Sequence, residues 1–334
     1  MSIPDAQRPA VDRALTAAFG TTVLDSAKPL TGGLSGASIY KVRVGGIAYL
    51  LRVEGSRDAF RDPGRWYGCM RTAAAAFLAP RVRHADPDDG VAIMDFIDER
   101  PLSLDYRGTR ADMIVEVAQA IRALHEAPAF PPLVDYMDGM DGLIGAFQAS
   151  GLIAPAATEE LFSRYAVLRA GYRTPERDQV SSHNDLNPRN ILYDGARLWL
   201  VDWESSFLAD RYVDLATLAN VFAQTPEEEA LLARTYFGET PDAERQARLF
   251  LMRQVNHVFY GVIMLNGVAA EQPGLRETSL EAPELAEIHQ ALGTGEFVLE
   301  SWRGRLAYGK ARLNAALDGL RSARFPEALE LVAT

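Results

Sequence analysis

The chain has one cysteine in 334 residues, Cys69, so no disulfide can close within it. Cys69 reads as a small buried apolar side chain. Lysine is almost as scarce: Lys28, Lys41 and Lys310 are the only ones, and arginine supplies the rest of the basic charge. Long apolar runs are missing too. The stretch Val258 to Val268 is interrupted by Tyr260 and Asn266 and falls short of the ~18 residues of a membrane span. The opening segment, MSIPDAQRPAVDRAL, has no uninterrupted apolar core of the secretory kind. These absences set the expectation of a cytoplasmic protein without a membrane partner. The formal net charge of -11 argues against non-specific nucleic-acid binding, which needs a basic surface. An acidic balance serves solubility and also fits a cationic organic substrate.

What is present is ordinary for a globular protein: 48% hydrophobic and 24% charged residues, in a chain long enough for two core-forming units. Val11, Leu15 and Phe19 share one helical face near the start. The segment LTGGLSGASIYKVRVGGIAYLLRVEG then reads as strand, glycine-rich turn, strand, turn, strand. Residues 38–44 and 47–53 are the clearest strands, joined at Gly45-Gly46. A helix is expected around Cys69 to Leu78, ended by Pro80, and a strand over 91–97. Beyond that the pattern turns helical. Thr109 and Asp112 have capping-box spacing, Thr225-Pro226 and Thr240-Pro241 open helices, and a last amphipathic helix covers 307–320. One β-rich island interrupts this half, a hairpin over 190–204 that turns at Asp194-Gly195. The fold class expected is α+β, bilobal: a small β-rich, nucleotide-binding lobe over 1–96 and a larger helical lobe over 97–334 that carries the catalytic loop and substrate site.

The segment SHNDLNPRNILYDGARLWLVDWE carries the chemistry. Asp185 and Asn190 lie five apart, in a stretch that Pro188 keeps out of a helix interior. Asp202 ends the apolar run LWLV. A hairpin between Asn190 and Asp202 can bring these two together. Phosphoryl transfer needs such a set: one carboxylate to orient a hydroxyl and take its proton, and oxygen donors to hold Mg²⁺ against phosphates. His183, Asp185, Asn190 and Asp202 match the kinase pattern H-x-D-x-x-x-x-N followed by a metal-binding Asp after a strand.

On these motifs the chain resembles the aminoglycoside phosphotransferase and choline kinase family, small-molecule relatives of protein kinases. HND in place of HGD, and DWE followed by RYVDLATLAN, lean toward the choline and ethanolamine kinase branch. No APE follows, which disfavours a protein substrate. The resemblance implies ATP and Mg²⁺ as cofactors and a small-molecule hydroxyl as acceptor: choline, ethanolamine or a similar amino alcohol. The alternatives are an aminoglycoside-type antibiotic as acceptor, or a nucleotide-binding regulator with weakened catalysis.

Residue by residue, it makes Asp185 the base and Asn190 and Asp202 the Mg²⁺ ligands. Gly33 and Ser35 fall in the phosphate turn, with Arg52 as the phosphate cation in place of the usual Lys. Backbone near Asp95 and Ile97 would hold adenine. Asn187 stands where relatives place a Lys or His near the γ-phosphate. His183 would brace the loop, and Asp214 would cap the helix DLATLANVF. Trp203, Glu204 and Tyr260 are substrate-side candidates. The helix after Arg52 carries no acid to pair with it, so Glu54, Asp58 and Asp62 remain as possible partners.

Overall fold

The computed structural model describes residues 3–30, 36–55, 57–58, 60–100, 102, 106–223 and 225–333. Packing divides the chain into two compact units, residues 1–133 with 180–208, and residues 134–179 with 209–334. The cut at residue 97 follows a change in element type, whereas this division follows packing. The α+β class read from the sequence is the class observed.

In the first unit, β1 (Ser26–Leu30), β2 (Ser38–Val44), β3 (Ile47–Val53), β4 (Val82–Asp86) and β5 (Val91–Asp95) form one antiparallel sheet in the order β1-β2-β3-β5-β4. Val44 sits opposite Ile47, so Gly45 and Gly46 make a two-residue loop with φ of 58° and 81°. Two positive φ values in succession match the right-handed strand twist, and glycine adopts them without a Cβ penalty. Helix α1 (Arg8–Phe19) lays Val11 and Leu15 on this sheet, where they close a core with Val42, Leu51, Val53, Val91 and Ile93.

Helix α2 (Pro63–Ala75) begins earlier than its apolar pattern indicates. Asp62 caps it through the Gly64 amide, and Pro63 takes the first turn, where its missing N–H has no partner to lose. It ends before Pro80, at a turn in which Phe77 adopts φ 60°. Helix α3 (Arg110–His125) opens on the expected capping box of Thr109 and Asp112. The unit is completed by residues 180–208.

The second unit is helical: α4 (Tyr136–Ser150), α5 (Pro155–Gly171), α6 (Arg211–Phe222), α7 (Pro226–Phe237), α8 (Ala243–Glu271), α9 (Leu285–Thr294), α10 (Trp302–Arg321) and α11 (Arg324–Val332). Helix α8 runs through its middle against α4, α6, α10 and α11. At its crossing with α10, a Cβ on Gly261 would stand 2.6 Å from Leu313, and one on Gly309 2.7 Å from Leu265, so small residues set the helix spacing. Two caps differ from the sequence reading. Asp242, not the Thr240-Pro241 pair, caps α8. Asp210 caps α6 through the Tyr212 amide, while Asp214 lies fully buried in the first turn. Among the described residues no helix is long and apolar enough to cross a membrane.

Candidate active site

The spacing of the motif becomes geometry through Val201. Strand β6 (Ile191–Tyr193) pairs with β7 (Leu198–Leu200), Ile191 opposite Leu200. Asp194 closes the turn by accepting the amides of Ala196 and Arg197 at 2.8 and 2.9 Å. One residue past the ladder, the Val201 N–H donates to the Asn190 carbonyl at 3.0 Å. The Val201 carbonyl meets His183 Nε2 at 2.9 Å. The hairpin thus carries Asn190 to the residue preceding Asp202, and His183 braces the same point. His183 is fully buried, with its ring 4.7 Å from that of Trp203.

Both oxygens of Asp185 are fixed by neutral donors. Asn187 Nδ2 donates to Oδ1 at 3.0 Å, and Asn190 Nδ2 donates to Oδ2 at 3.2 Å and to the Asp185 carbonyl at 2.8 Å. Asn187 also accepts the Arg189 amide at 3.0 Å, which caps the short 3₁₀ turn Pro188–Asn190. Two residues flanking this loop have left-handed backbone: Asn184 at φ 64° and Asp202 at φ 66°. Asn and Asp tolerate this region better than other non-glycine residues, and such conformations persist where the surroundings hold them. Asn184 is held through its side-chain amide, which donates to the Ser205 carbonyl at 3.0 Å.

Arg52, on β3 opposite Ala92, is 6% exposed. Its Nε donates to Glu54 Oε1 at 2.8 Å, its Nη2 pairs with Glu204 Oε1, and its Nη1 lies 3.6 Å from Asp202 Oδ1. The guanidinium also covers the Trp66 ring at 4.9 Å. Its acids are therefore Glu54 and Glu204, with Asp202 at longer range. Asp58 accepts the amides of Phe60 and Arg61, and Asp62 caps α2.

In place of an acid, α2 carries Arg65, 8% exposed, whose guanidinium reaches backbone carbonyls. Nη2 donates to Glu204 at 2.6 Å and to Phe60 at 2.5 Å, and Nη1 donates to Ser206. Burial lowers its pKa from the ordinary guanidinium value. Sequence reasoning missed this residue, because an arginine one position before the apolar stripe gives no sign of which carbonyls it will meet.

A model of the phosphotransferase enzyme family matches residues 26–250, more than half of the chain. The chain belongs to this family. LicA of Haemophilus influenzae is 40% identical over 58 residues, a segment covering 17% of this chain and 22% of that protein. Among solved structures, a choline/ethanolamine kinase family protein from Mesorhizobium loti superposes with a TM-score of 0.69 at 21% identity, covering 98% of each chain. Choline kinase LicA from Streptococcus pneumoniae gives 0.62 at 16% identity, covering 95% of this chain and 99% of that one. A spectinomycin phosphotransferase in complex with ADP and spectinomycin gives 0.53 at 14% identity, covering 93% and 100%. At these identities the structural likeness speaks for the fold.

Within this phosphotransferase the first unit gathers Asp185, Asn187, Asn190, Asp202, Arg52 and Glu204. Gly33 and Ser35 lie outside the described residues. Asp95 ends β5, gives its amide to the Arg81 carbonyl at 2.9 Å and its carboxylate to Arg83 at 2.6 Å; Ile97 follows, half-buried. Trp203, 2% exposed, packs against His183 and Phe130. Tyr260 belongs to the second unit, where its ring lies 5.2 Å from the chain's own Arg312 guanidinium.

Proposed function

We propose that the chain transfers the γ-phosphoryl group of ATP to a hydroxyl of a small amino alcohol such as choline or ethanolamine. The observation that carries this reading is the Asp185 carboxylate, oriented by Asn187 and Asn190 beside a hairpin that brings Asn190 to Asp202. A carboxylate so held can accept the proton of an incoming hydroxyl. Asn190 gives its side-chain nitrogen to Asp185, which leaves Oδ1 to face a ligand, and the Asp202 side chain is 44% exposed. One amide oxygen and one carboxylate suit Mg²⁺, a hard cation that keeps waters and phosphate oxygens as its other ligands. Bound there, Mg²⁺ would offset phosphate charge. Arg52 would meet the phosphates with a planar fork of donors. The amino-alcohol acceptor is favoured by the choline and ethanolamine kinases among the structural neighbours and by the net charge of -11. ATP use suits the cytoplasm.

The test is incubation with Mg-ATP and choline, ethanolamine, sugars, spectinomycin and aminoglycosides, following ADP. Turnover with an amino alcohol is expected. ADP only with the antibiotics would replace the acceptor, and ATP binding with no productive acceptor would favour a regulator. Asp185→Ala should lower turnover by roughly 10²–10⁴-fold with nucleotide affinity retained; an unchanged rate would remove Asp185 as the base.

A further inference from the structure

Kinase folds of this kind tie their phosphate-binding cation to an acid on the helix that follows. Here the tie runs elsewhere. Arg52 is paired by Glu54 and by Glu204, which lies two residues beyond Asp202. The segment from Asp202 to Ser206 is then the element whose position matters most. It begins with a left-handed residue, Asp202, and continues as a single 3₁₀ turn, Trp203–Ser205, too short to be rigid by itself. Helix α2 packs on this turn, and Arg65 is the side chain that holds it.

We propose that Arg65 is a positioning residue for the metal end of the site. By gripping the carbonyls of Glu204 and Ser206 from α2, it fixes the turn after Asp202. That one hold aims the Asp202 carboxylate at Mg²⁺ and the Glu204 carboxylate at Arg52.

The arrangement has a physical logic. A guanidinium presents five N–H donors in a rigid fork, so one side chain can satisfy carbonyls at two points of a turn. Three carbonyls, of Phe60, Glu204 and Ser206, share its charge without neutralising it. The helix thus keeps its cation while both carboxylates stay available: Glu204 to Arg52, and Asp202 to a ligand. Cys69, one turn further along α2, places its Sγ 3.6 Å from the same Ser206 carbonyl and closes the contact against water. Backbone strain at Asp202 endures because this contact holds the residues after it.

The proposal rests on the phosphotransferase reading, and its test does not require the acceptor to be known. A non-hydrolysable ATP analogue would be titrated calorimetrically at a series of Mg²⁺ concentrations. Residues behind metal ligands typically alter affinity by roughly 10–100-fold. Arg65→Met is therefore expected to raise the Mg²⁺ needed for half-maximal analogue binding at least about tenfold, with Arg65→Lys recovering part of the shift. Leu124→Ala, a buried cavity variant on α3 away from the site, serves as the stability control. It should lower Tm as much as Arg65→Lys or more and leave the Mg²⁺ requirement where it was. Equal Mg²⁺ requirements for wild type and both Arg65 variants, or the same shift in Leu124→Ala, would overturn the role of Arg65. Analogue binding by wild type with no Mg²⁺ dependence would overturn the functional reading itself, and the proposal with it.

Discussion

Arg52 in the first unit and Arg312 in the second are both buried, 6% and 1% exposed, and their company is opposite in kind. Arg52 is met by the carboxylates of Glu54 and Glu204, with Asp202 at 3.6 Å. Arg312 is met by neutral groups. Its Nε and Nη2 donate to the Tyr308 hydroxyl at 2.9 and 2.6 Å, its Nη1 lies 3.0 Å from His257 Nδ1, and its plane covers the Tyr260 and Tyr308 rings. Around Arg52 the carboxylates outnumber the cation they share, and a further cation bound there would relieve their repulsion. Around Arg312 the charge is dissipated into dipoles and ring faces, and nothing awaits neutralisation. Burial alone therefore does not mark a functional cation. The sign of the surplus around it does.

The largest expected effect comes from removing the cation where acids are in excess. Arg52→Met leaves the buried Glu54 carboxylate without this cation and takes the same partner from Glu204 and Asp202. Breaking a buried pair by deleting one partner costs several kcal/mol. A loss of about 3 kcal/mol in urea unfolding is expected, the lower end of that range because Glu204 can regain water. Mg-nucleotide affinity should fall with it. A loss below about 1 kcal/mol would mean that the carboxylates spread apart into water instead, and the surplus of charge would no longer set this region apart.

Arg312→Met should do less. Deletion leaves the Tyr308 hydroxyl and His257 Nδ1 without their partner, at roughly 1 kcal/mol each, but it also removes the cost of keeping a cation out of water. A flexible thioether fills much of the same volume. The expected net change is under about 1.5 kcal/mol by the same unfolding measurement. A loss as large as that of Arg52→Met would erase the contrast between the two sites.

The sequence conveyed the catalytic loop better than its supports, for a physical reason. Asp185, Asn190 and Asp202 are set by local chain geometry, a 3₁₀ turn and a hairpin with a short loop, so spacing along the chain translates into spacing in space. Strands β2, β3 and most of β5 were legible because each alternates or buries β-branched residues. Strand β1 was expected only as the short piece before the glycine-rich turn, and β4 was not read at all; both are sheet edges with exposed positions, Pro29 in one and Arg83 and His84 in the other. The partners of Arg52 also escaped. Glu54 was one of three candidates, and Glu204 is 152 positions away along the chain, where no local pattern can link it to Arg52. Arg65 escaped for the same reason, since its partners are carbonyls and leave no trace in residue identity.

The smallest effect is a slope in pH. Burial and the Arg312 charge push His289 down to about 4, and His257, fully buried beside Arg312, is lowered as well. A histidine whose folded pKa lies below its unfolded value of ~6.5 binds fewer protons in the folded state, so stability rises with pH. The contribution is intact above pH ~6.5 and is lost progressively as pH falls from there toward 4, because the unfolded chain takes the proton first. His289→Gln removes one titrating site while keeping a polar side chain. The variant's stability should therefore fall less steeply than wild type between pH 6.5 and 4.5 in urea titrations. In the Arg312→Met background His257 and His289 both lose this cationic neighbour, and the slope should flatten there too. An undiminished slope in both variants would place the acid sensitivity in groups other than these two histidines. The pH profile thus tests whether the imidazoles beside Arg312, lowered by burial and by its charge, carry the acid sensitivity of the second unit.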